Sequence, residues 1–216
     1  MQFKTFVFDA YGTLFDVHAA VRKHADSLGP DGQRLSELWR IKQLEYSWVR
    51  TLMGSYTDFW RLTEEALDFA FGAVPDVDTS CRDKLLEAYW TLECYPEVPD
   101  VLARLRERGA QTAILSNGSS DMLSAAVDSA QLGGLFDAIL SVDAVKTFKT
   151  VPQVYRMVTD TFDIPPEEVS FQSSNRWDIA GAHKFGFHTV WINRTGQPNE
   201  YHNYGPAREI GDLTAL

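Results

Sequence analysis

Phe6-Val7-Phe8-Asp9-Ala10-Tyr11-Gly12-Thr13-Leu14 is the stretch that decides the fold. From Phe3 to Phe8 the chain is apolar and β-rich, and the run ends on a carboxylate followed by a glycine turn. A short apolar run bounded by a turn reads as a buried strand. Open α/β sheets place their chemistry at the carboxyl ends of such strands. An aspartate there can also do no more than cap a turn. Asp9 gains the chemical reading because three later segments carry groups that complement it.

Beyond this strand the pattern turns helical. Val17, Ala20, Val21, Ala25 and Leu28 fall at helical spacing, with Asp16 as N-cap and Gly29-Pro30 as stop. A longer helix is predicted over 33–53, carrying Leu35, Leu38, Trp39, Ile41, Leu44, Trp48, Val49 and Leu52. A third begins near Thr57 with Phe59, Leu62, Ala66, Phe69 and Ala70, and a fourth follows Asp78-Thr79-Ser80 with Cys81, Leu85, Ala88, Tyr89 and Leu92. From Pro96 onward helix and strand alternate. Strands are predicted at 112–115, 138–142, 169–172 and 189–192, and helices at 99–108, 122–130, 152–162 and 179–185. Alternation of this kind implies a parallel sheet with helices on both faces. The expected fold is therefore α/β, a doubly wound parallel sheet with an inserted four-helix cap. The expected division is a catalytic core of residues 1–16 and 95–216 and a helical cap of residues 17–94. The tail after Arg194 reads as loop, with a last short element near Ile210.

The bulk numbers set limits. The 216 residues suffice for one domain with an insertion, and 44% hydrophobic content supports a sizeable core. A net charge of −10 disfavours nucleic acid and anionic membranes as partners. It also means that an anionic substrate needs local cations. Cys81 and Cys94 have no C-x-x-C spacing, there is no signal-peptide core, and no apolar run reaches membrane-spanning length. A cytoplasmic protein is expected. His18, His24, His183, His188 and His202 form no metal-binding pattern, so neither a zinc site nor a Ser-His triad is expected.

Four loops follow four predicted strands and should open at one sheet edge. They bring Asp9 and Thr13, Ser116 and Asn117, Lys149, and Ser173, Asn175 and Asp178 together. Ser116-Asn117-Gly118 can grip a carboxylate or cap a helix, and the two roles are compatible. Asp178 can likewise be a helix N-cap. As a nucleophile, Asp9 gains from orientation, which contributes roughly 7–11 kcal/mol in favourable systems. An anionic substrate about 4 Å away would be repelled by about 4 kcal/mol at an effective dielectric of 20, so cations must offset it.

Asp9-Ala10-Tyr11-Gly12-Thr13-Leu14-Phe15-Asp16-Val17 resembles the haloacid dehalogenase superfamily, and within it the L-2-haloacid dehalogenase branch. Phosphatases of that superfamily carry a second aspartate where Tyr11 stands, as general acid for the leaving alcohol. A halide needs no proton, so the loss suits dehalogenation. They also carry acidic residues in a G-D-x-x-x-D loop that completes a magnesium site. Here that loop is Ser173-Ser174-Asn175-Arg176-Trp177-Asp178, and only Asp178 is acidic. Neither a metal nor another cofactor is expected.

The resemblance implies Asp9 as nucleophile, Lys149 as the cation that holds it ionised, and Asp178 as partner of Lys149 that helps position the hydrolytic water. It also implies Thr13, Ser173 and Asn175 around Asp9, and Tyr155 as a supporting hydrogen-bond donor. Ser116 would bind the substrate carboxylate and Asn117 would lie near the halogen. Arg40, which shares a helix face with Leu44, would receive the halide. Tyr11, Leu44, Phe59 and Trp177 would form the apolar pocket. The family usually has Lys-Pro where this chain has Lys149-Thr150, and a small residue where it has Arg176. The implied activity is conversion of (S)-2-haloalkanoic acids to (R)-2-hydroxy acids, with halide released, in a homodimer. The alternatives are a magnesium-dependent phosphatase or phosphonate hydrolase of the same superfamily, and a non-catalytic binding protein.

Overall fold

The computed structural model describes residues 3–216. Strand β1 (Thr5–Phe8) leads into helices α1 (Ala19–Lys23), α2 (Ala25–Leu28), α3 (Gly32–Met53), α4 (Phe59–Ala73) and α5 (Arg82–Trp90). Then come α6 (Val98–Glu107), β2 (Gln111–Ser116), α7 (Ser120–Ser129), β3 (Ala138–Ser141) and α8 (Pro152–Phe162). The chain finishes with β4 (Val169–Ser173), α9 (Arg176–Phe185), β5 (His188–Ile192) and β6 (Arg208–Ile210).

The six strands form one parallel sheet in the order β3-β2-β1-β4-β5-β6. β1 is central, with Phe8 level with Ile114 on one side and Gln172 on the other. The chain runs outward from β1 in both directions, so the crevice at the end of β1 is the topological switch point. Asp9 sits there, its N–H donating to the Gln172 carbonyl at 2.9 Å. The expected α/β sheet is present, with β6 at one edge. That strand accounts for the short element foreseen near Ile210.

Between Phe15 and Cys94 the described chain is helical, with single 3₁₀ turns and no strand longer than an isolated bridge. The two connections to this helical region lie side by side. Asp16 N–H donates to Glu93 O at 3.0 Å and Tyr95 N–H to Leu14 O at 2.9 Å. Gln43 ties three of the helices together: its amide donates to Thr63 Oγ1 at 2.9 Å and accepts from Tyr89 at 3.3 Å. Buried Leu35, Leu62, Leu67 and Leu85 fill the space around this network.

Some local expectations need correction. Asp16 is not a helix cap. It accepts from His18 N–H at 3.0 Å and pairs with Arg22, and the helix starts later, at Ala19. Gly29 does end the helix as expected, as the C-cap of α2 at φ 63°, but the chain keeps coiling. A 3₁₀ turn at Gly29–Asp31 continues into α3, because proline in a first turn sacrifices no needed N–H. Leu92 lies beyond the end of α5. α9 starts at Arg176 instead of 179, which shortens the loop after β4. Ile41, Val49, Leu52, Met53 and Phe69, which read as helical apolar positions, face outward.

Candidate active site

The residue types at the ends of β1, β2 and β4, with the loop before α8, converge as the topology requires. Asp9 is buried, and its two oxygens are used unequally. Oδ2 accepts from Asn175 Nδ2 at 2.7 Å, from Thr13 Oγ1 at 3.1 Å and from Ser173 Oγ at 3.4 Å. Oδ1 accepts from one group, the Lys149 ammonium at 3.0 Å. An ionised carboxylate has about four acceptor positions, so Oδ1 retains unused capacity.

Asn175 shows what this costs locally. It is the N-cap residue of α9, yet its side chain makes no cap bond and turns to Asp9 instead. Its backbone N–H is held by Ser173 Oγ at 3.1 Å, and Ser174 N–H donates to Thr13 Oγ1 at 2.8 Å. The two loops around Asp9 are thus cross-braced.

Lys149 is fully buried and lies between two carboxylates, with Asp178 Oδ2 at 2.7 Å. Its backbone N–H donates to Asn117 Oδ1 at 2.9 Å, and the following peptide to Thr150 is cis. Burial alone would lower the lysine pKa, but the charges of Asp178 and Asp9 outweigh it and raise the pKa. Asp178 accepts from Tyr155 OH at 2.8 Å on its other oxygen. Burial pushes the Asp178 pKa up to about 6, against the opposing pull of Lys149. Asp178 is therefore ionised at neutral pH, with little margin. It is in the first turn of α9 and is not its N-cap. Tyr155 is itself buried, and burial followed by the Asp178 charge keeps its phenol well above the ordinary range.

Asp9 opens onto a small chamber lined by Tyr11, Arg40, Leu44, Phe59, Ser116, Asn117, Asn175 and Trp177. All of these were singled out in the sequence. Thr13, Lys149, Ser173, Asp178 and Tyr155 stand behind the wall and reach the chamber through Asp9 or Lys149. Space for the centre of a water-sized sphere is about 10 Å³, room for about one water. The chamber is narrow, and admitting anything larger than water requires its wall to move.

The chamber carries unused donors. Asn117 Nδ2 and Tyr11 OH are buried without a partner. Ser116 and Asn117 do not cap α7, because Ser119 does so by accepting from Met122 N–H. Ser116 Oγ accepts from Gly118 N–H at 3.0 Å, leaving its own proton to give. Arg40 makes one long bond, 3.4 Å to the Tyr11 carbonyl. Among the described residues no carboxylate lies within 4.0 Å of it.

Sequence reading missed four contributors. Tyr89 of α5 stacks on Tyr11 with ring centroids 5.8 Å apart, so Tyr11 is gripped by the helical region as well as by Phe59 at 6.3 Å. Trp48 meets Trp177 edge to face at 5.5 Å. Tyr56, in the turn between α3 and α4, donates to Asp143 at 2.5 Å. Arg194 pins the Asp9 loop by donating to Thr13 O at 3.0 Å, and it pairs with Glu97 at 2.7 Å. Of these, Arg194 was read in the sequence only as the start of the tail, two residues after a core strand. A roomier groove lined by Trp48, Trp177, Lys184, Phe185 and Tyr204 adjoins the chamber wall but contains neither Asp9 nor Lys149.

A family model for haloacid dehalogenase-like hydrolases matches residues 3–186, and the chain belongs to that family. More particularly, it is 51% identical over 214 residues to (S)-2-haloacid dehalogenase 1 of a Pseudomonas species, covering 97% of this chain and 93% of the relative. It is 47% identical to (S)-2-haloacid dehalogenase 4A of Burkholderia cepacia, covering 97% and 91%. The L-2-haloacid dehalogenase of Xanthobacter autotrophicus, solved with chloropropionic acid covalently bound, superposes with a TM-score of 0.89 at 37% identity, covering 98% and 96%.

Superfamily phosphatases use magnesium, and the residues here do not suit that ion. Both carboxylates that face the site are engaged by the Lys149 ammonium. The position of a further acid is Tyr11, held in an aromatic stack. A magnesium site wants carboxylates free to bind it directly.

Proposed function

We propose that this chain hydrolyses (S)-2-haloalkanoic acids to (R)-2-hydroxy acids through an ester on Asp9, with inversion at C2 and without a metal ion. The unequal use of the two Asp9 oxygens is the observation that carries this reading. In the first step Oδ1 attacks C2 from the side opposite the halogen, the C–halogen bond breaks, and halide departs with the bonding pair. Lys149 and Arg40 offset the repulsion between Asp9 and the substrate carboxylate. Ser116 and the free amide of Asn117 supply donors for that carboxylate and for the halogen. Arg40, free of any ion pair, receives the halide.

In the second step water attacks the Asp9 acyl carbon, and the acyl C–Oδ1 bond then breaks. Oδ1 leaves as the hydroxyl oxygen of the product with one of the water's protons, and the other proton passes to solvent. During the attack Oδ1 is the ester oxygen and Oδ2 the carbonyl. Negative charge develops on Oδ2, where Asn175, Thr13 and Ser173 already point their protons. Donors prearranged at the atom that gains charge are the strongest kind of electrostatic catalysis. Tyr155 and Asp178 keep Lys149 in place. The relatives named as (S)-2-haloacid dehalogenases and the covalent chloropropionate complex support the assignment.

The α/β part before residue 17 and after residue 94 acts as catalytic core, and the helices between act as a cap closing the chamber through Arg40, Leu44 and Phe59. The outward apolar face of Ile41, Val49, Leu52 and Met53 on α3 supports a homodimer, with Leu52 88% exposed. No helix of the described residues is long and apolar enough to cross a membrane, and both cysteines are unpaired. We place the enzyme in the cytoplasm.

Single turnover in heavy-oxygen water tests the mechanism. Label should enter the Asp9 carboxylate and not the first hydroxy acid formed. Label passing straight into product would overturn the ester route.

A further inference from the structure

We propose that a second cavity, behind Trp177, holds a small monovalent anion on Arg176. This cavity is open to solvent over about 370 Å³ and is lined by Ser174, Asn175, Arg176, Trp177, Trp191 and the loop 197–200. Asn175 and Trp177 also line the reaction chamber, so the two spaces share a wall.

Arg176 is 95% buried, which follows from its 5% exposure. A buried guanidinium normally has a carboxylate partner, because an isolated charge in the interior is costly. Here its bonds go to neutral oxygens. Nε donates to Asn199 Oδ1 at 2.8 Å, and Nη2 donates to the carbonyls of Tyr201 at 3.2 Å and Tyr204 at 3.0 Å. Among the described residues Nη1 has no partner, and it is closed to solvent, so an anion reaches it only when the cavity wall shifts. Among the described residues no carboxylate comes within 4.0 Å. Glu200 lines the cavity without reaching the guanidinium.

Those three bonds explain how Arg176 anchors the tail. They do not explain why the anchor carries a charge, since a neutral donor would serve three neutral oxygens. They also leave one N–H pair unused. Trp191 and Tyr201 place their rings 5.9 Å and 5.8 Å from the guanidinium carbon and hold its plane. A fixed cation with no carboxylate in contact, beside an open cavity, recognises a small anion such as halide or a short carboxylate. The physiological meaning rests on the proposed function, in which the substrate and both products are anions that must pass the chamber wall. Arg176 would hold such an anion between solvent and Asp9. Binding itself does not depend on turnover.

The test measures bromide binding by its NMR linewidth in the full-length protein carrying Arg40→Gln, which removes the halide receiver proposed at the reaction chamber. Sodium bromide should still bind saturably. Adding Arg176→Gln should weaken that binding at least tenfold. Adding Glu200→Gln, an exposed change, should tighten it roughly two- to fivefold by removing a nearby like charge. Sodium propionate that displaces bromide identifies the site with the acids, and bromide that persists identifies it with halide. Both outcomes uphold the site. An identical bromide isotherm with and without Arg176 overturns it. If the Arg176 variant does not fold, an unchanged affinity in the Glu200 variant overturns it instead. Saturable bromide binding by a protein that releases no halide from any haloacid would sink the proposed function and leave this site standing.

Discussion

Asp178→Asn should yield an almost inactive protein whose stability relative to the parent depends on pH. The reasoning starts from burial. Asp178 is fully buried, and desolvation lifts its pKa to about 6 even with Lys149 at 2.7 Å and Tyr155 at 2.8 Å. An unfolded aspartate titrates near 3.9. The folded state therefore binds a proton more readily than the unfolded state between those values. A raised folded pKa gives stability that is present at low pH and lost as pH rises through the folded value. At pH 7.5 the ionised group is held at a cost of about 3 kcal/mol relative to its neutral form, from a shift of about 2 units. Asn is neutral at every pH and escapes that cost, offset in part by a poorer contact with Lys149. The check is urea unfolding of both proteins at pH 7.5 and pH 5. Other carboxylates shift both curves alike, so the difference between the proteins isolates position 178. Parent stability should gain on the variant by about 1 kcal/mol on going to pH 5. Turnover should fall about a hundredfold or more in the variant, because Lys149 loses one of its two anchors and small misplacement of a reacting constellation is expensive. Parallel stability curves, or a parent that loses ground to the variant at pH 5, would refute the reasoning and show that the ion pair dominates burial.

Three further outcomes follow from the geometry. Gly181→Ala, outside the chamber, would bring its new methyl to 2.5 Å from Tyr155 OH and 2.7 Å from Thr150 Cβ; overpacking should cost about 1–3 kcal/mol and lower kcat by displacing the Tyr155 donor from Asp178, read from thermal melts and steady-state kinetics. Tyr56→Phe removes the bond to Asp143 across 87 residues of sequence; because the pair is only half buried, stability should drop by about 1 kcal/mol or less, while KM rises and kcat holds, with faster hydrogen exchange in α3 and α4. Arg40→Gln should cut kcat and kcat/KM together by roughly 10²–10³-fold, as expected when charge stabilisation present only in the transition state is removed; a change confined to KM would count against its role as halide receiver.

How much of this was legible in the sequence depends on the distance over which each feature is determined. The Phe3–Phe8 run, its terminal Asp9 and the alternation after Pro96 are local patterns, and parallel topology then forces the loop ends together. That is why Asp9, Ser116, Asn117 and Asn175 carried a readable signal, whereas Tyr11, Arg40, Leu44, Phe59 and Trp177 were readable only through the resemblance. The contacts between the helical region and the sheet carried none. Trp48 meets Trp177, Tyr89 stacks on Tyr11 and Tyr56 reaches Asp143 because the helical region packs against loops of the sheet, and such long-range packing leaves no periodicity in either segment. A tryptophan on a helix reads the same whether it faces a core, a partner or the other half of its own chain. The same limit explains the outward face of α3, where Val49 and Leu52 looked like core.

Asp178 presents a subtler case. Its pairing with Lys149 was readable from the resemblance, and its expected help in placing the water would pass through Lys149 and Asp9. The sequence names an acid and a base but not the dielectric around them. Complete burial turns an ordinary ion pair into one whose acid is poised about one unit below neutral pH. Protonating Asp178 would leave Lys149 with Asp9 as its single charged partner and loosen the cation that offsets substrate charge. The rate should therefore decline on the acid side with an apparent midpoint near 6, and Asp178→Asn should abolish that limb in whatever activity remains. A limb unchanged by the substitution would assign it to another group and separate the pH response from the Lys149 anchor.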